Sequence, residues 1–210
     1  MHDIQVKDGH YNFLKYMDEY RWISTYKQIE EIEALKPKSL VEVGIGTGFF
    51  GNTMKFLRYN YTSVDFDKNL NPDVVASVLD LPFKDDHFDI SVSFQVLEHL
   101  EYKDFIPAIK ELQRVSKKNV IISLPDTRKV WMYNIYIPKL GNFEFNIPRP
   151  QFSPQEHKWD GEHYWEISKK NYPLSRILTD IENVGFKVLN TYRVQKNPFH
   201  RFFILDVNKD

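Results

Sequence analysis

The chain has 210 residues, of which 42% are hydrophobic and 27% charged, and its 28 basic and 29 acidic side chains give a formal net charge of -1 at pH 7. This balance provides no basic surface for duplex nucleic acid or an anionic membrane, and no run approaches the roughly 18 apolar residues of a membrane span. Cysteine is absent and charged residues interrupt the N-terminal positions, so we expect no disulfide, no thiolate metal site and no secretory signal, and we predict a cytoplasmic protein.

The N-terminal residues show a helical pattern. Apolar side chains recur at helical spacing over residues 11–35, and Pro37 ends the pattern, which predicts one or two helices. The predicted buried stripe consists of Tyr16, Tyr20, Ile23, Tyr26, Ile29 and Ile32. We divide the chain into this helical segment, residues 1–38, and a main domain, residues 39–210.

From residue 39 onward, predicted strands alternate with helical segments. The predicted strands are 39–44, 61–65, 73–78, 88–94 and 119–125, and the predicted helices are 49–59, about 104–116 with Pro107 in its first turn, and 171–184. This alternation is typical of a mostly parallel α/β sheet. Two final apolar runs, 186–194 and 201–207, have no helix between them and predict a hairpin that adds an antiparallel strand.

Two departures from the alternation carry predictions. Only about eight residues separate Asp65 from the third strand, below the usual dozen for a parallel crossover, so the second helix is predicted to be truncated or absent. Residues 126–170 are rich in proline and aromatic side chains and fit no strand–helix unit. We interpret them as an insertion that lies over the carboxyl edge of the sheet.

The first strand leads into a glycine-rich turn, "VEVGIGTGFF" (41–50). Glycines at a strand-to-helix turn let a ligand approach the backbone closely, although turn geometry alone also favours them. A dinucleotide site needs its third glycine at the position that Phe49 occupies, and no Gly-Lys-Ser/Thr follows as in a P-loop. Glu42 would repel a pyrophosphate and attract an ammonium group.

The motifs resemble those of the class I S-adenosylmethionine-dependent methyltransferases, in particular the small-molecule group often called type 11. The resemblance covers residues 39–124, through "VEVGIGTG", "SVDFD" and "SVLDLPFKDDHFDISVSFQVLEHL", and the tail "GFKVLNTYRV" with "FFILDV". It implies a Rossmann-like, seven-stranded, mostly parallel sheet with an antiparallel last strand, N-terminal helices that cover the cofactor site, and an insertion after strand 5. It also implies methyl transfer from S-adenosylmethionine to a small-molecule acceptor.

The resemblance implies a set of cofactor-binding residues, which are Glu42, Gly44, Gly46, Gly48, Asp65, Phe66, Asp80, Leu81 and Gln95. The glycines would let the backbone pass under the methionine portion and the ribose, Glu42 would balance the amino group, and Gln95 would line the methionine portion. Asp65 would accept hydrogen bonds from the ribose hydroxyls. Phe66, Asp80 and the Leu81 backbone would contact adenine.

Methyl transfer needs mainly an aligned nucleophile, and a general base is useful only when that nucleophile carries a proton of high pKa. The candidate bases are His99, which in such blocks commonly bonds backbone instead, and His163, with His157 nearby. In the insertion Trp159, Tyr164 and Trp165 are candidate lid residues that contact substrate, or they pack the insertion onto the sheet.

The sequence leaves two alternative functions open and gives no support for a metal site. No fixed ligand spacing among the histidines and carboxylates of the insertion supports a metal site, so none is predicted. The runner-up function is a non-catalytic S-adenosylmethionine-binding protein or partner subunit, and an NAD-dependent oxidoreductase comes third. No nucleic-acid or membrane partner is predicted, and the oligomeric state is not indicated.

Overall fold

A computed structural model describes residues 16–207 of the chain. Its helices are α1 (Glu19–Leu35), α2 (Phe49–Phe56), α3 (Tyr102–Val115) and α4 (Leu174–Asn183). Its strands are β1 (Ser39–Val43), β2 (Asn60–Asp65), β3 (Val74–Val75), β4 (Phe88–Phe94), β5 (Ser116–Pro125), β6 (Val130–Ile137), β7 (Gly141–Pro148), β8 (Lys187–Arg193) and β9 (His200–Asp206). Single 3₁₀ turns occupy Lys68–Leu70 and Leu97–His99.

One seven-stranded sheet organises the domain, in the order β3-β2-β1-β4-β5-β9-β8. Strands β1 to β5 pair in parallel, whereas β9 is antiparallel to both β5 and β8. The predicted Rossmann-like, mostly parallel sheet with an antiparallel last strand is therefore confirmed. The chain order reverses between β1 and β4, and in such sheets ligands bind beyond the carboxyl ends of the strands at this switch point.

The sheet is covered on both faces, which is why its central strand is apolar on both sides. All seven residues of β4 are buried. One core cluster joins the sheet to α3 and α4, through residues such as Phe105, Leu112 and Ile177. A second cluster joins the other face to α1 and α2, through Ile32 and Met54 among others.

The N-terminal prediction was right about a helix and wrong about part of its buried face. Tyr20 and Tyr26 are 52% and 59% exposed, whereas Ser24, Gln28 and Ile32 are buried. Polar residues on the inward face hide it from a search for apolar periodicity. The part of the predicted helix before residue 16 lies outside the described residues.

Two boundaries also differ from the prediction. Helix α3 begins at Tyr102, so Pro107 lies in its second turn and not in the first. The third strand contains only Val74 and Val75, and the 3₁₀ turn Lys68–Leu70 stands where a crossover helix would. The truncated second helix is thus confirmed.

Within the predicted insertion, β6 and β7 form a separate two-stranded antiparallel sheet that the sequence interpretation missed. Asn146 Nδ2 donates to the carbonyl oxygen of Gln195 at 2.9 Å, which attaches this hairpin to the β8–β9 loop. Across residues 16–207, the helices are all too short or too polar to cross a membrane.

Candidate functional site

A cavity of about 180 Å³ opens at the carboxyl ends of β1 and β4. Its walls come from α1, the glycine loop, the 3₁₀ turn after β4, the insertion and the start of β9. The lining residues are Tyr16, Met17, Arg21, Ser24, Thr25, Gln28, Glu42, Gly44, Ile45, Gly46, Thr47, Phe50, Phe94, Gln95, Glu98, His99, Glu162, His163, Phe199 and His200. A larger open depression, about 660 Å³, lies on the insertion and includes Gln155 and Lys169, but no residue of the glycine loop lines it.

The glycine loop is shaped by backbone conformations and contacts that only glycine permits. Gly44 has φ +86°, and a Cβ there would lie 2.2 Å from Cγ2 of Val96, just beyond β4. Gly48 has φ +73° and is the N-cap of α2. The bare backbone of the loop therefore lies directly against the end of the neighbouring strand.

Asp65 connects the glycine loop to the end of β2. Its Oδ2 accepts from the backbone N–H of Ile45, and its Oδ1 accepts from the N–H of Asp67, both at 2.9 Å. Burial raises the pKa of Asp65, although these backbone hydrogen bonds oppose the rise. Because each carboxylate oxygen has two acceptor sites, the group retains capacity for hydroxyl donors.

Glu42 is buried, at 3% exposure, and lines the cavity. The Tyr61 hydroxyl donates to its Oε2. Burial raises the pKa of Glu42 to about 8 in spite of that hydrogen bond. A cation placed against this carboxyl group would favour its ionised form.

Gln95 follows β4 in a strained conformation. Its φ is +56°, which a non-glycine residue rarely adopts, and its Nε2 donates to Ser123 Oγ at 3.2 Å. Such strain is often found where a residue faces a ligand. The side chain lines the cavity together with Glu42, Gly44 and Gly46.

The residues predicted to hold adenine lie outside the cavity. Phe66 is 47% exposed, and Asp80 is also exposed. The Leu81 N–H donates to Glu111 Oε2 at 3.0 Å, and its carbonyl accepts from Arg114. Gly48 and Asp65 do not line the cavity either, so the adenine end of the site stays a prediction.

The two candidate bases lie side by side in the cavity wall, with ring centroids 5.1 Å apart. His99 Nδ1 lies 2.9 Å from the carbonyl oxygen of Glu162, and His163 Nδ1 lies 3.0 Å from Glu166 Oε1. Burial lowers the pKa of His99. Burial would also lower the pKa of His163, but the hydrogen bond with Glu166 and nearby carboxylates outweigh it and raise that pKa.

Arg21 and Glu98 are among the cavity residues that were not predicted. Among the residues that the structure describes, Arg21 Nη1 and both carboxylate oxygens of Glu98 are buried without a hydrogen-bond partner. Burial raises the pKa of Glu98 to about 7, although His163 nearby lowers it in part. Glu98 belongs to the "LEH" motif and could have been singled out, whereas nothing in the sequence marks Arg21.

The aromatic residues of the insertion divide into two groups. Trp165 is fully buried and packs edge-on against Tyr102 and Phe105, at centroid distances of 4.9 and 5.1 Å. This corrects the expectation that Trp165 contacts substrate, because its ring belongs to the core. Trp159 and Tyr164 pack with tilted rings near the surface, with centroids 4.5 Å apart, outside the cavity, and their role as a lid stays a prediction.

Helix α1 is attached to the opposite side of the cavity by a side-chain contact. Asn197 Nδ2, in the β8–β9 loop, donates to Ser24 Oγ at 3.0 Å. Ser24 and Arg21 both line the cavity, so this contact holds the helical wall in position.

Sequence comparison matches residues 41–124 to a family model described as a methyltransferase domain. Two uncharacterized proteins of Methanocaldococcus jannaschii are similar. MJ1123 is 34% identical over 131 residues, covering 54% of this chain and 61% of the relative, and MJ0638 is 31% identical over 96 residues, covering 42% and 40%. The chain therefore matches less than two thirds of the length of these relatives.

Structure comparison finds the same fold in solved structures, several of which are methyltransferases. PH0226 from Pyrococcus horikoshii has a TM-score of 0.62 at 15% identity, over 94% of this chain and 95% of that one. An S-adenosylmethionine-dependent methyltransferase from Clostridium acetobutylicum has 0.60 at 10%, over 94% and 95%. Magnesium protoporphyrin IX methyltransferase from Synechocystis, crystallised with S-adenosylmethionine, has 0.58 at 12%, over 97% and 86%. With the family match, these likenesses confirm the predicted resemblance to class I S-adenosylmethionine-dependent methyltransferases.

Proposed function

We propose that the chain is an S-adenosylmethionine-dependent methyltransferase that acts on a small-molecule acceptor. The observation that carries the proposal is the cavity at the switch point, which is lined by Glu42, by the bare backbone of Gly44 and Gly46, and by Arg21. The guanidinium of Arg21 stacks on the Tyr16 ring, and its Nη1 is buried without a hydrogen-bond partner. A carboxyl group, a guanidinium group and exposed backbone together suit the amino-acid end of a ligand, because its ammonium and its carboxylate each need a partner of opposite charge.

The charges assign the two ends of the cofactor's methionine portion. Glu42 receives the ammonium group, and Arg21 Nη1 donates to the carboxylate, since a buried N–H without a hydrogen-bond acceptor is costly. Asp65 accepts from the ribose hydroxyls while it holds Ile45. Residues 1–38 then act as a cover, and α1 provides its cavity-facing side.

The reaction requires little covalent chemistry from the protein. The nucleophilic atom of the acceptor attacks the methyl carbon, the sulfur–methyl bond breaks, and S-adenosylhomocysteine leaves with the bonding electron pair on sulfur. Holding the acceptor in line with that bond contributes roughly 7–11 kcal/mol. His99 and His163 border the cavity, where an acceptor atom would approach the methyl group.

Ligand-induced stabilisation tests the proposal. The full chain is melted alone and with S-adenosylmethionine, S-adenosylhomocysteine or NAD⁺. A ligand at a hundredfold its Kd adds about 2.7 kcal/mol of stability, so the first two should raise the Tm and NAD⁺ should not. Stabilisation by NAD⁺ alone would overturn the proposal.

A second measurement separates catalysis from binding alone. The chain is incubated with S-adenosylmethionine labelled in the methyl group and with pooled hydroxyl, amine and carboxyl acceptors. Transfer of label supports an enzyme. Cofactor binding with no transfer to any acceptor in the pools would favour the non-catalytic binding protein instead. A cytoplasmic location remains part of the proposal.

A further inference from the structure

We propose that Glu98, His99 and His163 bind a divalent first-row transition-metal ion in the wall of the cavity. One ligand atom from each of the three side chains lies within 4.8 Å of the others. Two imidazoles and one carboxylate are the protein ligands of many catalytic zinc and iron sites, in which further positions stay open for water or substrate.

The state of Glu98 points to a bound cation. The residue is fully buried, and neither carboxylate oxygen has a hydrogen-bond partner within residues 16–207. A buried carboxylate without a partner is costly, and such groups are usually paired or coordinate metals. An ion held with His163 would satisfy both oxygens.

The two histidines are oriented as metal-ligating histidines commonly are. A carbonyl oxygen only accepts, so His99 Nδ1 must donate its proton to Glu162 O, 2.9 Å away. His163 Nδ1 is held in the same way by Glu166 Oε1 at 3.0 Å. In both rings Nε2 is therefore the nitrogen suited to the ion, because the hydrogen bond of Nδ1 to a carbonyl or carboxylate oxygen fixes the tautomer.

A second cluster shares His163 but suits an ion less well. It combines His163 with Asp160 and Glu166. Asp160 Oδ1 already accepts from the backbone N–H groups of Glu162 and His163, at 2.9 and 2.8 Å, and Glu166 is bonded to the His163 ring. Because these carboxylates have partners, the ion is assigned to Glu98, His99 and His163.

The ion would narrow the class of methyl acceptor, a consequence that rests on the proposed function. A metal ion lowers the pKa of an oxygen bound to it. A hydroxyl group bound there would lose its proton to water, its oxygen would attack the methyl carbon, and the sulfur–methyl bond would break. The acceptor would then be an alcohol or phenol, and the product a methyl ether.

Metal binding is tested on the full chain without any methyl acceptor. Calorimetry with Zn²⁺ and absorption spectroscopy with Co²⁺ should each give one bound ion per chain, and the Co²⁺ bands should report nitrogen and oxygen ligands. Glu98→Gln and His163→Ala should each weaken binding at least about tenfold. His87→Ala, at an exposed histidine, and Asp160→Asn should leave it unchanged.

Each contrary result is informative. Absence of stoichiometric binding, or unchanged affinity in Glu98→Gln, would overturn the metal site, and loss of binding in Asp160→Asn would move it to the other cluster. S-adenosylhomocysteine binding is measured on the same samples by thermal shift. Metal binding without cofactor binding would contradict the proposed function but would still support the metal site.

A separate observation concerns the β6–β7 hairpin, one face of which is apolar and partly exposed. We define the apolar hairpin face as Trp131, Tyr133, Ile135, Ile137, Phe143, Phe145 and Ile147. Register pairs Trp131 with Ile147, Tyr133 with Phe145, and Ile135 with Phe143, so these side chains share one side of the ladder. Each residue of the face is between 40% and 45% exposed.

The opposite face of the hairpin is mixed. Met132 and Tyr136 on it are 57% and 72% exposed, whereas two polar residues of β7 contact the domain: Asn146 exchanges hydrogen bonds with Gln195, and Glu144 lies 3.2 Å from Lys196 Nζ. A half-buried antiparallel sheet normally turns its apolar side inward. Here polar residues make the contacts with the domain while the apolar hairpin face stays partly exposed, which indicates that something else covers that face.

We propose that the partner is the same face of a second copy of this chain. The face carries no charge, so a twofold axis would bury no like-charged pair. Four aromatic and three isoleucine side chains at these exposures present on the order of 500–600 Å² per protomer. Two copies would bury about 1,100 Å², above the roughly 1,000 Å² expected of a biological interface.

Sedimentation equilibrium on matched variants tests the dimer. Wild type should be dimeric at micromolar concentration, and high salt should not weaken the association. Phe145→Glu, on the apolar hairpin face, should give a monomer, whereas Tyr136→Glu, on the opposite face and 72% exposed, should remain dimeric. A monomeric wild type would overturn the proposal, and salt-sensitive binding of that monomer to phosphatidylglycerol vesicles would identify a membrane surface instead.

Discussion

The carboxylate of Asp65, at the end of β2, accepts a hydrogen bond from the backbone N–H of Ile45 in the glycine loop, at 2.9 Å. One side chain therefore fixes the loop between β1 and α2 while standing where the ribose hydroxyls of the cofactor are expected. Structural support and the predicted ligand binding would be coupled at this residue.

Asp65→Ala should weaken S-adenosylhomocysteine binding by about tenfold or more, because it removes a charged acceptor worth roughly 1.5–3 kcal/mol per hydrogen bond. Calorimetry should show a similar loss for 5′-methylthioadenosine, which keeps the ribose. Asp85→Ala, at an exposed aspartate, is the control. Unchanged affinity for both ligands would remove Asp65 from the site.

Arg21→Met should weaken binding of S-adenosylhomocysteine but not of 5′-methylthioadenosine. The guanidinium is assigned to the cofactor carboxylate, which 5′-methylthioadenosine lacks, and a charge-assisted hydrogen bond contributes about 1.5–3 kcal/mol, or tenfold to a hundredfold. Titration calorimetry with both ligands gives the comparison, and the exposed Arg58→Met serves as control. An equal loss for the two ligands would contradict the assignment.

The buried Glu42 should make stability depend on pH. Its pKa rises from 4.5 to about 8 in the folded protein, so between those values the folded chain keeps a proton that the unfolded chain has lost. The contribution of Glu42 is therefore fully present below pH 4.5 and is lost as pH rises toward 8, by up to about 1.4 kcal/mol per pH unit. Urea unfolding of wild type and Glu42→Gln from pH 5 to 9 should give free energies of unfolding whose difference changes with pH in this window. A difference that stays constant with pH would refute the assignment to Glu42.

Cofactor binding should release the proton that the buried Glu42 carboxyl group carries. The ammonium group favours ionised Glu42, so binding of S-adenosylhomocysteine near pH 7 should release a proton, and the affinity should rise with pH until about pH 8. Calorimetry in buffers of different ionisation enthalpy counts the protons. Glu42→Gln and the ligand 5′-methylthioadenosine should both abolish the release; persistence in either would place the proton elsewhere.

Trp165→Ala should lower the free energy of unfolding by about 3–5 kcal/mol, because the ring is fully buried against Tyr102 and Phe105. Trp159→Ala should cost less than about 1 kcal/mol, since that residue is 53% exposed. Denaturant unfolding of the two variants provides the measurement. Similar costs at both positions would mean that the insertion packs differently from this description.

The sequence was sufficient for features that depend on local patterns. The strands of the main sheet, the glycine loop and the terminal hairpin follow from apolar runs and turn residues that are close together in the chain. The β6–β7 hairpin could also have been predicted, because apolar residues occupy every second position of its first strand, at Trp131, Tyr133, Ile135 and Ile137. The proline and aromatic content of residues 126–170, which is typical of an irregular insertion, obscures that alternation.

Other features depend on packing between distant segments. His163 approaches Glu98 and His99 only because the insertion folds back across the sheet edge, where the Tyr164 N–H donates to Glu98 O at 2.9 Å. Arg21 lines the same cavity as the glycine loop, on a helix whose buried residues include the polar Ser24 and Gln28. Neither of these placements of His163 and Arg21 could be predicted from residue spacing in the sequence.

The contact between Asn197 and Ser24 has a kinetic consequence. A volume of about 180 Å³ is smaller than the roughly 300–1,000 Å³ of a typical small-molecule pocket, so part of the cavity wall must move to admit a nucleoside-sized ligand. The hydrogen bond from Asn197 is one of the contacts that oppose an outward movement of α1, together with the burial of Ile32 in the core. In the proposed methyltransferase, opening of this wall would then be needed for product escape as well as for cofactor entry.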